Sequence, residues 1–264
     1  MKISEALYFI RDELKNFLEN PYLEAELLIR KILNLSREEI YTKDVEVSKE
    51  DLIPLIELRK KRFPLQYILG EVEFYSRNFR IKEGVFIPRP ETETLVETGI
   101  GLIPRGAEII EVGTGSGVIS ITLALERPDL KIFADDINWK AIYLSRENAR
   151  NLGAEVNFLV GDCLLPFRGK FGAIISNPPY ISPGEEVSPE LAWEPHEAYL
   201  ALPDGLSFIK RLLREAERIL SPHGIILLEI SPTQAQFLKE EYGARIIKDL
   251  YGRERVAVIF AGDG

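Results

Sequence analysis

The stretch that decides the fold is Glu108-Ile109-Ile110-Glu111-Val112-Gly113-Thr114-Gly115-Ser116-Gly117. Its first half, Glu108–Val112, is a short strand-like run, and the glycines that follow end it at once. A helical pattern, Val118–Arg127, begins directly after Gly117. Further strand-like runs follow at Lys131–Asp135, Val156–Val160, Gly172–Ser176, Gly224–Ile230, Arg245–Lys248 and Arg255–Phe260. Helical patterns lie between most of them, as at Trp139–Asn151 and Leu206–Leu220. Such alternation predicts an α/β fold with a mostly parallel, doubly wound sheet of seven strands. The Asp249–Glu254 link is too short for a parallel crossover, so the last strand is expected to be antiparallel.

Glycines at the first turn let the backbone pass close to a ligand. The spacing is G-x-G-x-G. Val118 stands where the third glycine of a dinucleotide fingerprint would be, which disfavours a pyrophosphate. Asp136, at the end of the second strand, is placed to accept both hydroxyls of a ribose. Asp162, after the third strand, is placed to meet an adenine amino group. A glycine turn alone would read as a structural tight turn. With acids at the next two strand ends it reads as a nucleoside site.

Asn177-Pro178-Pro179-Tyr180 follows the fourth strand run. The carboxyl ends of parallel strands line the ligand crevice, so this tetrapeptide lies beside the nucleoside. A planar NH2 group is a poor nucleophile, because its lone pair is delocalised. Two acceptors for its two N–H groups, the Asn177 side-chain oxygen and the Pro178 carbonyl, would hold and polarise it. Pro178 and Pro179 stiffen the loop, and Tyr180 offers a face for a planar amide or base.

Working outward toward the N-terminus, the period changes. Ile3, Leu7, Ile10, Leu14 and Phe17 form one helical face. Pro21 opens a second helix with Leu23, Leu27, Leu28 and Ile32 as its face. Ser48 and Asp51 read as a capping box for a third, which runs into Arg59-Lys60-Lys61-Arg62. That basic run reads as a solvated helix end favoured by the helix dipole. From Phe63 to Pro88, Tyr67, Leu69, Phe74, Phe79 and Ile81 alternate with polar residues around Gly70 and Gly84, as in a hairpin. The expected organisation is a small helical domain over 1–63, a β-hairpin linker over 64–88 and the α/β domain over 89–264.

Composition narrows the class. The 264 residues carry 42 acidic against 33 basic side chains, a net charge of −9. That sign disfavours a grip on naked nucleic acid. Cys163 is the only cysteine, which fits a reducing cytosol, and two histidines make a His/Cys metal site improbable, so no metal is expected. No apolar run is long enough to span a bilayer, and the first residues lack the apolar core of a signal peptide. Few Cys, Met and Gln residues among many Glu, Lys and Arg hint at a thermophile.

One stretch reads two ways. Phe86-Ile87-Pro88-Arg89-Pro90-Glu91-Thr92-Glu93 is ordinary helix-start chemistry, with proline at N1 and acids in the first turn. It could equally belong to the site. Together with Gln66-Tyr67-Ile68-Leu69-Gly70, Phe74, the glycine loop, Asn148-Ala149, Asn177 to Tyr180, Glu194-Pro195, Asp204-Gly205-Leu206 and Leu228-Glu229, it resembles the PrmC/HemK family. These are bacterial N5-glutamine methyltransferases that modify peptide chain release factors. Close relatives of the NPPY tetrapeptide also occur in adenine-amino DNA methyltransferases; the run from Ile87 to Glu93 is far more specific.

The resemblance implies a Rossmann-like domain that uses S-adenosylmethionine (SAM) and yields S-adenosylhomocysteine. It implies, as substrate and partner, the glutamine of the Gly-Gly-Gln motif of release factors; a cytoplasmic monomer is expected. Carried over by position, Glu111, Gly113, Thr114, Gly115, Ser116, Gly117, Asp136, Asp162, Cys163 and Asn177 would contact SAM. The family register favours Asp136 over its neighbour Asp135. Cys163 stands where some relatives carry an aromatic residue that could pack on adenine. Asn177, Pro178, Pro179 and Tyr180 would hold the glutamine, and Phe86, Arg89, Pro90, Glu91 and Thr92 would form part of the wall. The haem-related oxidase suggested by the family's old name has no support, since neither a haem ligand motif nor a dinucleotide fingerprint is present.

Three other functions compete. An adenine-amino nucleic-acid methyltransferase should carry a basic cleft or a target-recognition domain. A glutamine methyltransferase of a ribosomal protein would share fold and chemistry. A non-catalytic SAM-binding partner would bind without turnover, against which the intact Asn177–Tyr180 motif speaks.

Overall fold

A computed structural model describes residues 1–182, 184–201 and 205–262. Asp204, one of the residues that carry the resemblance, lies outside the described residues. The chain forms two compact units: Met1–Glu71 with Val187–Trp193, and Val72–Glu186 with Glu194–Gly264.

The first unit is helical, with α1 (Ile3–Leu14), α2 (Pro21–Leu33), α3 (Glu39–Thr42), α4 (Lys49–Lys60) and α5 (Leu65–Leu69). In α1 the face Ile3, Leu7, Ile10 and Leu14 is buried as its spacing predicts. In α2 the buried apolar face is Ala25, Leu28 and Ile29, while Leu23 is exposed. Ser48 caps α4, but its hydroxyl accepts from the Glu50 N–H (3.1 Å) and Asp51 does not close a box.

Two expectations fail here. The basic run is not a solvated helix end. Arg59 is buried and donates to both carboxylate oxygens of Glu24 at 2.5 and 2.7 Å. Lys60 meets Glu13 at 2.6 Å, and Arg62 meets Glu190 at 2.9 Å. A helical period brings alternate faces of a charged run inward, where the carboxylates of other helices offset the cost of burial. Nor are Tyr67 and Leu69 strand residues. They lie in α5, which Gly70 terminates at φ 77° with its N–H on the Gln66 carbonyl (2.8 Å).

The hairpin proper is β1 (Glu71–Phe74) and β2 (Arg77–Arg80). Its Phe74 and Phe79 are fully buried and meet edge to face. They sit in the core of the second unit, beside Leu95, Val96 and Ile142.

That unit is built on one seven-stranded sheet. After α6 (Glu93–Leu102) come β3 (Glu108–Val112), α7 (Val118–Glu126), β4 (Lys131–Asp136), α8 (Trp139–Leu152), β5 (Asn157–Val160) and β6 (Phe171–Ser176). The chain ends with α9 (Ser207–Ala216), β7 (Leu220–Glu229), α10 (Pro232–Tyr242), β8 (Arg245–Lys248) and β9 (Glu254–Phe260). The helix expected to reach Leu220 stops at Ala216, and Leu220 opens β7 instead. The strand order is β5-β4-β3-β6-β7-β9-β8, with β3 to β7 parallel and β9 antiparallel to both neighbours.

Two cores follow from the strand period of two. Ile109 joins α6, α7 and α8 on one face; Ile110 joins α9 and α10 on the other. Strand order reverses between β3 and β6, so a crevice opens at their carboxyl ends. Among the described residues no helix is long and apolar enough to cross a membrane.

Candidate active site

A cavity of about 300 Å³ occupies that crevice, a volume in the range of small-molecule sites. The glycine loop forms its floor. Gly115 has φ 57°, its N–H donates to Asp136 Oδ2 at 2.9 Å, and a Cβ placed on it would touch no protein atom. The backbone here is open to a ligand. Gly117 is needed for another reason: at φ 87° it starts α7, and a Cβ would fall 2.7 Å from Ile121 Cδ1. Buried Asn148 steadies the loop, donating to the Ser116 carbonyl (2.9 Å) and the Arg80 carbonyl (3.0 Å).

Glu111 supports the loop from inside. Its Oε2 accepts from the Thr114 hydroxyl (2.6 Å) and the Ser120 N–H (3.1 Å). It is fully buried, and burial pushes its carboxyl up to about 7. Asp136 accepts from the Asn138 N–H (2.8 Å) as well as from Gly115, so its carboxylate is aimed before any ligand arrives. Burial raises its pKa, and those two N–H groups oppose the shift. Asp162 lines the cavity with Oδ1 held by Arg211 at 2.8 Å. Cys163 is buried with its thiol pushed up to about 12 by burial, which leaves it neutral.

The opposite wall comes from two other segments. Asn177, Pro178 and Pro179 follow β6, and Phe86, Pro88 and Thr92 face the same cavity. Asn177 Nδ2 donates to the buried Thr92 Oγ1 at 3.2 Å. Glu194, also buried, accepts from the Ile87 N–H at 2.8 Å and pairs with the Arg89 guanidinium. One carboxylate thus fastens the strap over residues 86–92 to the Pro195–Ala198 stretch, which lines the cavity too.

The family model of the methyltransferase small domain matches residues 92–198, and that of the PrmC N-terminal domain matches residues 5–70. A release factor glutamine methyltransferase from Neisseria gonorrhoeae is 35% identical, covering 94% of this chain and 96% of that protein. One from Thermodesulfovibrio yellowstonii is 36% identical, covering 97% and 98%. The chain belongs to the release factor glutamine methyltransferase family. A methyltransferase from Pyrococcus furiosus shares the fold, with a TM-score of 0.54 and 20% identity over 70% of this chain and 89% of that one.

Within this family member, the cavity brings together Phe86, Thr92, Gly113, Thr114, Gly115, Ser116, Asp136, Asp162, Cys163, Asn177, Pro178 and Pro179. Six expected site residues stand back from it. Glu111 and Gly117 shape the loop from behind. Arg89 is turned away because its guanidinium is taken up by Glu194, the Ile87 carbonyl (2.6 Å) and the Phe86 ring (4.7 Å). Pro90 and Glu91 lie on the 3-10 turn that leads into α6, off the wall. Tyr180 also stands behind the wall. Burial, then the charge of Glu229, pushes its hydroxyl up to about 12.

The sequence reading missed Ile137, Asn138, Glu197, Phe208 and Arg211, all on the cavity wall. Asn138 had a signal: it precedes a helical pattern and caps α8, accepting from the Lys140 N–H at 3.0 Å. Ile137 is 64% exposed, an apolar surface at the mouth that no periodicity marks.

Proposed function

We infer that this chain transfers a methyl group from SAM to the side-chain amide nitrogen of a glutamine, the one in the Gly-Gly-Gln motif of peptide chain release factors. The observation that carries the reading is the Asn177 amide on the cavity wall, with its Nδ2 held by Thr92 and its Oδ1 left for a ligand. The names of the relatives supply the class of substrate.

The residues fit SAM. Open space lies over Gly115, two backbone N–H groups hold the Asp136 carboxylate on the cavity wall, and Val85, Ile137 and Phe208 give the cavity apolar surface. SAM supplies an electrophilic methyl on a sulfonium. Gly113 to Ser116 would hold it by backbone contact, and Asp136 would take its ribose hydroxyls. Asn177 Oδ1 and the Pro178 carbonyl would accept the two N–H groups of the glutamine amide and turn its nitrogen toward the methyl. Transfer from the sulfonium would exchange its S–C bond for the new N–C bond, and the surplus amide proton would be left to water. No base of unusual pKa is required. Phe86 and Pro88 add apolar surface to the same cavity.

The reading places the enzyme in the cytoplasm with no direct nucleic-acid contact, supported by one cysteine and a net charge of −9. The test is transfer from labelled SAM to a purified bacterial release factor, beside a copy whose Gly-Gly-Gln glutamine is alanine. Label on the first alone is expected. Equal labelling of both would refute the acceptor, and none on either would turn attention to ribosomal-protein or nucleic-acid substrates.

A further inference from the structure

The two ends of an asparagine amide are alike in size, so hydrogen-bond partners decide which one faces a ligand. At Asn177 this matters. An outward oxygen accepts from the substrate NH2; an outward nitrogen sets donor against donor. Among the described residues, the side chain bonded to this amide is that of Thr92, at 3.2 Å. A threonine hydroxyl has one proton. If that proton goes elsewhere, Oγ1 must accept from Asn177 Nδ2; if it is free, it can donate to Oδ1 and the amide can turn over.

Beside Thr92 lies the carboxyl of Glu229, the last residue of β7. Glu229 is 1% exposed, and among the described residues neither of its oxygens has a hydrogen-bond partner. Parallel pairing of Ser176 with Leu228 sets Glu229 at the strand end beside Asn177, whose amide bonds the Thr92 hydroxyl. An ionised carboxylate only accepts, so it would draw the Thr92 proton to itself.

We propose that Glu229, acting through the Thr92 hydroxyl, holds the Asn177 amide with its oxygen toward the acceptor glutamine. Glu229 is a positioning residue, and the proposal rests on the reading of Asn177 given above. Several charged or titratable groups face the Glu229 carboxyl. Arg255 lies on β9, Glu91 and Arg89 on the strap before α6, and the Tyr180 hydroxyl after β6. Arg255 is itself shared with Asp249 at 3.4 Å.

Burial pushes the Glu229 carboxyl up to about 7, so its charge changes near neutrality. The sign follows. Below that pH a protonated Glu229 no longer needs the Thr92 proton; above it the orienting acceptor is present. Turnover should therefore rise with pH through about 7.

The experiment measures kcat and KM for a release factor, with the SAM Kd, in wild type, Thr92→Val, Thr92→Ser and Glu229→Gln, over about pH 6–8. Thr92→Val keeps the shape and removes the hydroxyl. It should lower kcat by about tenfold to a hundredfold with the SAM Kd within a few fold, and Thr92→Ser should restore most of the rate. Glu229→Gln should lose the rise in kcat across neutrality. A merely structural Glu229 would instead leave that rise in place at lower amplitude, which overturns the proposal. So does a wild-type kcat in Thr92→Val. Should Glu229→Gln fail to fold, the Thr92 pair decides alone. If wild type itself leaves release factors unmethylated, the reaction reading fails first, and the proposal falls with it.

Discussion

The two walls of the cavity are built in different ways. The donor wall, Gly113–Ser116 with Asp136 and Asn138, comes from one short piece of chain and works largely through backbone N–H groups, as in the bonds from Gly115 and Asn138 to Asp136. The acceptor wall is assembled from distant parts. Asn177 meets Thr92 across 85 residues, and Glu194 meets Ile87 across 107. A wall made of local backbone is recognisable by its glycines and depends little on any one side chain. A wall made of long-range side-chain bonds depends on each of them.

Asn177→Ala should have the largest effect. Loss of the amide oxygen should slow methyl transfer by about a hundredfold or more while the SAM Kd stays within a few fold. Single-turnover rates with calorimetry check this, and a normal rate would remove Asn177 from the acceptor wall. Glu194→Ala comes next. It strands the Ile87 N–H and the half-buried Arg89, and should cost about 2–3 kcal/mol of stability with a drop in turnover. Urea unfolding reads the first; a midpoint unchanged from wild type would mean that the strap holds without its carboxylate.

On the donor wall, Asp136→Ala should weaken SAM by about 1–3 kcal/mol and leave kcat at saturating SAM nearly intact. An unchanged Kd would break the contrast between the walls.

The smallest effect is at its neighbour. Asp135 is buried, neither oxygen has a hydrogen-bond partner among the described residues, and burial together with the charge of Asp136 pushes its carboxyl up to about 8 from an ordinary 3.8. The folded chain therefore keeps a proton that the unfolded chain releases, and this site loses stability as pH climbs from about 4 to about 8. Asp135→Asn removes that slope. It should raise Tm by a few degrees at about pH 8.5 and by less at about pH 5, with SAM affinity retained. A Tm difference that does not widen with pH would mean that Asp135 is charged in the fold.

These neighbours show how far the sequence reaches. The pair Asp135-Asp136 offers two candidates for the ribose acid, and the family register pointed to Asp136. The structure gives the physical difference: strand alternation sends one side chain to the Gly115 and Asn138 N–H groups and the other into the interior. The resemblance sets Glu111 among the SAM contacts, yet its side chain turns back to Thr114 and Ser120. Arg89 belongs to the most specific motif, which the resemblance sets on the wall. Only the fold reveals its partner Glu194, 105 residues away.

By itself the sequence determined what repeats locally: strand–helix alternation, the antiparallel end forced by a short link, the glycine turn, and the strand-end positions of Asp136 and Asn177. Periodicity and turn chemistry act over a few residues, so they can be read from a few residues. Tertiary structure alone decided what crosses the chain. It sank Arg59 among carboxylates, seated the hairpin phenylalanines in the core beside α6, and set Thr92 and Glu229 behind Asn177. Each of these is a buried contact between segments far apart in the chain, fixed by packing and by the cost of leaving polar groups unpaired.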